Sequence, residues 1–377
     1  TWITTDAEGR IVKREEDRSG NGVRKNVKGA TGLYVQACDG LFELYRQLVE
    51  NTRVHLTTAL PLRENEQKGA YNLRVRRRAI DSCRFVLPAA TLTNVGVSMN
   101  ARSMEHAIRK LLSSDLSEER EIGEIVKEQG QRITPTLIRY ADRSDYLVLT
   151  AEDVQRRSQE MLPPTKMPAG AGRISSQLLS YDPEAQLKMV ASLLYHYSNQ
   201  PYQAVLARVR GMSLAEQEET VHAALSRLGP HDATVRELEL VDYTFEFVMD
   251  YGAYREFKRH RMQSYISQPL TIQLGYVLPD LIREAGQEDL FLEAIRLSEE
   301  AYRELSILPP RVSEYMVTHA HLRRVLSKMN LRECYHFFKM RTQPQAHFTI
   351  RDAAGQAMER VREVHPLLAK YVHSRDE

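Results

Sequence analysis

Cysteine is scarce: Cys38, Cys83 and Cys334 are the only three in 377 residues. They lie far apart, so neither a disulfide framework nor a CxxC metal pair can be built from them, and they read as reduced, mostly structural thiols. Long apolar runs are missing too. No stretch approaches the roughly 20 apolar residues that cross a bilayer, and the first residues lack the charged-then-apolar order of a secretory signal. A cytoplasmic protein with no membrane partner is the expectation. Neither GxGxxG nor GxxxxGKS occurs, which argues against Rossmann and P-loop cofactor modes. The twelve histidines form no HxxxH-like spacing with Cys or carboxylate partners, so no metal site is expected. Nor does one sign of charge dominate. A formal net charge of +2 gives no global attraction to a nucleic-acid polymer. The local run Arg74, Arg76, Arg77 and Arg78 has two readings, a solvated helix face or a phosphate contact, and the second demands binding that weakens steeply with salt.

What is present is an ordinary globular composition, 42% hydrophobic and 27% charged, in a chain long enough for two domains with a core each. Residues 161–172 (MLPPTKMPAGAG) concentrate Pro and Gly with almost no charge. They suggest a first block over 1–160, a linker over 161–174 and a second block over 175–377. Apolar residues three and four apart predict helices over 41–49, 80–86, 97–112 and 122–138 in the first block. In the second they predict helices over 184–195, 214–228, from Tyr254, and over 272–285, 289–305, 315–340 and 350–371. Residues 238–249 (LELVDYTFEFVM) alternate and are rich in aromatic and β-branched types, which predicts a strand. The expected class is α+β, helix-dominated, with few and antiparallel strands.

An internal repeat is the most informative feature. Residues 83–109 (CRFVLPAATLTNVGVSMNARSMEHAIR) and 306–339 (SILPPRVSEYMVTHAHLRRVLSKMNLRECYHFFK) share one order: a Leu-Pro pair, a stretch that could turn or extend, and Asn-x-Arg at the head of a helix.

That order, with the second helix closing in Phe-x-x-Arg at Arg341, resembles the C-terminal half of flavin-dependent thymidylate synthases. Arg259-His260-Arg261 followed by Ser264 is similar to the start of that family's signature RHRxxSxNxxSxR, and YTFEF at 243–247 resembles the strand upstream of it. Residues 178–198 (LLSYDPEAQLKMVASLLYHYS) resemble a family N-terminus. The second block resembles the family along nearly all its length, the first over about 39–140 and without an RHR segment. The resemblance implies two tandem synthase-like domains, the first degenerate. Members are homotetramers that bind FAD between subunits, oxidise NADPH, and use the reduced flavin with methylenetetrahydrofolate to place a methyl group on C5 of dUMP. A homodimer of a fused chain would then be a pseudo-tetramer with closed symmetry.

By the same resemblance Arg341 is the catalytic candidate, since the family's closing Arg contacts the nucleotide base. Arg84, Arg332 and Glu256 fall to the substrate. Arg259, His260, Arg261, Ser264, Asn330, His336, Asn100 and Arg102 fall to the cofactor. Physics supports a role for RHR, because two guanidinium groups and an imidazole can hold a pyrophosphate by charge-assisted bonds. The alternative is that FKRHR is the basic last turn of a helix begun at Tyr254. Asn330 and Arg341, eleven residues apart, would project from one helix face, with Cys334 and Phe337 between them and His336 pointing away. That stripe could equally be packing, with Arg341 capping the helix. In the first block the corresponding face, with Met104, Ala107 and Leu111, reads as core. Arg84, four residues before Pro88, matches a family Arg that reaches the nucleotide of a neighbouring subunit, whereas Leu305 holds that place in the second block. The halves therefore carry complementary parts.

Departures from the signature are Ile266 for Asn, Pro269 for Ser, Thr271 for the last Arg, Leu240 for His and Glu256 for Gln. Threonine cannot replace a bidentate guanidinium, and a carboxylate at Glu256 presents an acceptor where a donor was used. Two functions follow. One is a flavin-dependent methyl or hydroxymethyl transferase acting on dUMP or a related pyrimidine nucleotide. The other is a non-catalytic fused paralogue that binds flavin or nucleotide or serves assembly.

Overall fold

The computed structural model describes residues 3–5, 11–14 and 24–27, there by backbone alone, and 30–162, 172–229, 231–308 and 311–372. The chain is a helix-dominated α+β protein. Its strands are β1 (Ile3–Thr5), β2 (Ile11–Arg14), β3 (Arg24–Val27), β4 (Ser175–Tyr181), β5 (Asp242–Asp250), β6 (Gln263–Ser267) and β7 (Leu322–Asn330). The helices are α1 (Ala30–Ala59), α2 (Lys68–Cys83), α3 (Ala101–Leu112), α4 (Ser117–Ile133), α5 (Asp145–Met161), α6 (Ala185–His196) and α7 (Tyr202–Arg210). They continue with α8 (Leu214–Leu225), α9 (Tyr251–Phe257), α10 (Asp280–Glu284), α11 (Glu288–Leu305), α12 (Leu331–Arg341), α13 (Phe348–Val364) and α14 (Pro366–Ala369). Two compact units emerge, both discontinuous in sequence. One comprises Thr1–Arg76, Val86–Pro168 and Glu284–Thr318; the other comprises Arg77–Phe85, Ala169–Arg283 and His319–Glu377.

In the first unit α1 lies along α11. Its buried residues Ala37, Leu41, Leu44, Leu48, Thr52 and Leu56 recur at three- and four-residue spacing, the stripe that a helix must cover. Gly40 sits at the crossing. A Cβ there would come within 2.7 Å of Leu297 Cδ2, so a side chain at this position would make Leu297 shift. Ile108 and Leu112 of α3 close a smaller core with Ile138 and Ala141.

The second unit is built on an antiparallel sheet of order β4-β5-β7-β6. Tyr243, Phe245, Phe247 and Met249 alternate inward from β5, as period-two patterning requires. They share one core with Met189 and Leu193 of α6, Phe337 of α12 and Ala353 and Ala357 of α13.

The helix-dominated class stands, and several local expectations are corrected. Residues 315–340 are not one helix: a 3-10 turn (Val312–Met316) precedes β7, and helix begins only at Leu331. The apolar residues of LRRVLSKMN suit either period, and pairing with β5 on one side and β6 on the other decides for strand. Likewise helix starts at Ala101 rather than at residue 97, and within 272–285 only Asp280–Glu284 is helical. Residues 238–240 form a 3-10 turn before β5. α9 ends at Phe257, so Arg259, His260 and Arg261 are the turn into β6 rather than the last turn of a helix. Of the proposed linker, residues 163–171 lie outside the described residues.

The repeat acquires a precise register. Asn100 and Asn330, 230 residues apart, both cap helices with nearly identical backbone angles (φ −76°, ψ 163° and φ −76°, ψ 164°). In both copies a 3-10 turn lies upstream, Arg84–Val86 in one and Val312–Met316 in the other. Under this register Pro88 is equivalent to Thr318, and the two pair with each other. Ala90 N donates to Tyr315 O at 2.9 Å, and Ala320 N donates to Phe85 O at 2.8 Å. With the numbering offset by 230, each bond maps onto the other. By this cap-based offset Arg84 falls opposite Glu314, and Leu87-Pro88 opposite Val317-Thr318.

Candidate functional site

α12 begins with Asn330, whose side-chain oxygen accepts the backbone N–H of Glu333 at 2.8 Å. The third helical position is where a capping-box carboxylate sits. Glu333 instead points into the protein, 2% exposed, and its Oε1 lies 2.9 Å from Nδ1 of His260, itself 4% exposed. On the other side of the imidazole, Arg341 Nε donates to His260 Nε2 at 2.9 Å. A guanidinium has no acceptor, so Nε2 must accept and Nδ1 must carry the proton given to Glu333. Arg341 is further held by Glu256, through Nη1 to Oε2 at 2.8 Å and Nη2 to the backbone oxygen at 3.2 Å. Burial lowers the pKa of Arg341 from the usual guanidinium range while Glu256 raises it. The result is a chain, Glu333 to His260 to Arg341 to Glu256, that fixes a half-buried guanidinium in one orientation.

The turn separates its three residues. His260 faces inward against Phe337, rings 5.0 Å apart, with both nitrogens engaged. Arg259 and Arg261 are exposed, and among the described residues their guanidinium groups make no hydrogen bond or ion pair. Two exposed guanidinium groups on one turn fit a diphosphate such as that of FAD; the imidazole does not, being committed to Glu333 and Arg341. Ser264 is exposed on β6, next in the same strand-and-turn segment. Arg332 is held by Glu239 (Nη1 to Oε1, 2.6 Å) and the Thr234 carbonyl (Nε, 3.2 Å). His336 is exposed, 5.3 Å from the His260 ring, and burial of part of its ring lowers its pKa. Cys334 and Phe337 are fully buried core. Asn100 caps α3 through Ser103 N at 2.9 Å, Arg102 is exposed beside it, and both belong to the first unit.

Arg84, although it comes from the first sequence block, belongs to the same unit as Arg341. Phe85, next to it, stacks on His347 and Phe348 at ring distances of 5.4 and 5.6 Å. Around Arg84 lie buried His319, bonded at Nε2 to Arg255 Nη1 (3.3 Å), His347, bonded at Nδ1 to Thr349 (2.8 Å), and Asp250, whose Oδ2 caps α9 at Ala253 N (2.8 Å). Helix α9 thus carries Arg255 into the Arg84 cluster and Glu256 onto Arg341. The sequence did not single out Glu333, Glu239, Arg255, Asp250, His319, His347 or Thr349. An Asn-x-x-Glu spacing before α12 was visible, but the inward course of Glu333 was not.

This cluster predicts acid sensitivity. Burial, with Arg255 and Arg84 nearby, depresses His319 to about 4. Burial and Arg84 depress His347 to about 4, against a weaker raising effect of Asp81. Burial raises Asp250 to about 6. The imidazoles contribute stability that is complete above their unfolded value of 6.5 and lost as pH falls through about 4. Asp250 acts oppositely, its contribution complete below 3.8 and lost as pH rises through about 6. Between pH 6.5 and 4 two groups outweigh one, so unfolding free energy should fall by on the order of 3 kcal/mol. In His319→Asn the remaining imidazole and carboxyl offset, and the fall should nearly vanish. Urea midpoints measured across that range decide it; an unchanged slope in the variant would refute the assignment.

Among the described residues no helix is long and apolar enough to cross a membrane, and no group of three metal-ligating side chains assembles.

Against known proteins, the family described as thymidylate synthase complementing protein matches residues 5–136 and 177–367. A UPF0159 protein of Thermoplasma acidophilum is 30% identical over 380 residues, the match covering 91% of this chain and 73% of that protein. A UPF0159 protein of Chlamydia muridarum is 28% identical, with 90% and 65% covered. The chain therefore spans about two thirds of the length of these relatives. A flavin-dependent thymidylate synthase of Saccharolobus solfataricus is 28% identical over 150 residues, 36% of this chain and 55% of that one. A solved UMP/dUMP methylase PolB from Streptomyces cacaoi, bound with 5-Br dUMP, covers 54% of this chain and 96% of its own at 14% identity, with a TM-score of 0.45. That likeness is too low to bear on this chain.

Proposed function

The chain belongs to the thymidylate synthase complementing protein family, and from that membership we propose that it is a methylase of a pyrimidine nucleotide, dUMP or a relative, working with FAD, NADPH and methylenetetrahydrofolate. The observation that carries this reading is Arg341, the closing residue of α12, held in one orientation beside the turn of Arg259 and Arg261 and in one compact unit with Arg84. Arg259 and Arg261 would hold the diphosphate of the flavin, and a bound flavin would supply the reducing equivalent. Arg341 and Arg84 would then serve the nucleotide, Arg341 through the two N–H groups that His260 and Glu256 leave unused. Glu256 beside Arg341 presents an acceptor and a donor side by side, so the base edge preferred at this place is one offering both.

The reciprocal bonds between Ala90 and Tyr315 and between Ala320 and Phe85 support a reading of the chain as two fused synthase-like copies, and a homodimer would complete a pseudo-tetramer. Cytoplasmic location fits this chemistry. A second reading, a fused paralogue that binds flavin or nucleotide without turnover, is favoured by Arg341 being occupied by protein partners on three bonds and by Thr271 standing where a phosphate-binding Arg is usual.

Purified protein is expected to show the visible absorption bands of bound flavin, or to acquire them on addition of FAD, and to oxidise NADPH in a flavin-dependent way. Arg259→Ala with Arg261→Ala should weaken FAD retention at least about tenfold, one charge-assisted contact being worth on the order of 1.5–3 kcal/mol. A protein that takes up no flavin excludes the enzyme reading. Flavin uptake without transfer to any uridine or cytidine nucleotide favours the second.

A further inference from the structure

Residues 92–100 (LTNVGVSMN) carry no helix, strand or turn, and among the described residues no backbone hydrogen bond joins 92–99 to any other segment. Their side chains face water to an unusual degree: Leu92 is 92% exposed, Val95 72%, Val97 65% and Met99 41%. Four large apolar side chains exposed in eight residues mark an interaction surface rather than scattered surface apolarity.

The repeat register says what kind. With Asn100 on Asn330, residues 92–100 align with β7, Leu322–Asn330. β7 turns Leu322, Val325, Ser327 and Met329 inward, each no more than 1% exposed. The matching residues are Leu92, Val95, Val97 and Met99, and the residues between them are small or polar, Thr93, Asn94, Gly96 and Ser98. The pattern is that of a half-buried strand, apolar at alternate positions from 95 to 99. β7 is paired on both edges, by β5 over nine residues and by β6 over five. Its counterpart has neither neighbour among the described residues.

We infer that residues 92–100 are a strand-forming seat that takes an antiparallel polypeptide strand on each edge, as β7 takes β5 and β6. The occupant is polypeptide of the character of those strands, alternating aromatic or branched residues with polar ones, whose apolar face continues that of Val95, Val97 and Met99. The UPF0159 proteins of Thermoplasma acidophilum and Chlamydia muridarum, of which this chain covers 73% and 65%, have length outside the match from which such strands can come. Backbone bonds would give affinity and the alternate side chains would give register. An unpaired edge of this composition otherwise invites association with further chains.

Hydrogen exchange of the amides of 92–99 tests this, with a synthetic peptide of the β5 sequence (DYTFEFVMD) as the probe. By the β5–β7 register, the peptide's second Phe would lie opposite Val95, because Phe247 lies opposite Val325. In dilute protein the segment should exchange quickly; saturating peptide should slow it at least about tenfold, the mark of new backbone bonds. Val97→Asp alters an exposed residue, so it should leave the melting temperature unchanged and abolish the slowing. Slow exchange in dilute protein without peptide, or no slowing with it, would overturn the inference. Slowing that rises with protein concentration alone, together with a change in oligomeric mass, would overturn the assigned occupant in favour of a second copy of this chain.

Discussion

Glu333→Ala is expected to lower the unfolding free energy by about 2–3 kcal/mol, the upper part of the range for leaving a buried donor without its acceptor. The variant leaves His260 at 4% exposure with a proton on Nδ1 and no acceptor for it, while Arg341 continues to demand Nε2 as an acceptor. Glu333→Gln separates geometry from charge. Its amide oxygen can accept the same bond, so it should cost only about 1–2 kcal/mol, mainly from a weaker acceptor and an amide N–H seeking a partner. Urea unfolding of both variants provides the comparison. Equal losses would mean that the carboxylate's charge, and not its bond to His260, is what matters. A loss below about 1 kcal/mol for alanine would mean that His260 finds another partner. The same substitution should reach function: without Glu333 the imidazole can rotate, and Arg341 loses the acceptor that fixes its Nε edge.

Arg341→Lys is expected to reduce transfer to the nucleotide by about 10²–10³-fold in kcat/KM, the usual effect of deleting one preorganised charged donor. Lysine keeps a positive charge but is a point donor. It cannot bond His260 and Glu256 at once with a third edge left over, as the planar guanidinium can. Because lysine keeps a positive charge beside Glu256, stability should change less than activity, although the Arg341 side chain is only 15% exposed. Flavin absorption should persist, since Arg259 and Arg261 are untouched. A variant that loses flavin and activity together would place Arg341 in cofactor retention. A variant with undiminished turnover would remove it from the chemistry. Glu256→Gln is the informative companion: it keeps the shape, removes the charge beside Arg341 and adds an amide N–H donor, and a changed preference between uridine and cytidine nucleotides is the expected sign that this pair reads the base.

Much of this was legible along the chain. YTFEF alternates and became β5, and Asn-x-Arg at 330–332 stood at the head of a helix and became the start of α12. Errors arose where two periods fit one stretch. LRRVLSKMN satisfies helical spacing at 322, 325 and 329, and only β5 and β6 lying alongside make it a strand.

Caps, amphipathic stripes and alternation are local properties, set by residues within a few positions of each other, and those the sequence determined by itself, together with its family. The inward turn of His260, the grip of Glu256 on Arg341, and the union of Arg84 with the second block depend on residues 73, 85 and more than 160 positions away. No local preference encodes such pairings. Burial and hydrogen-bond satisfaction in the folded protein decided them.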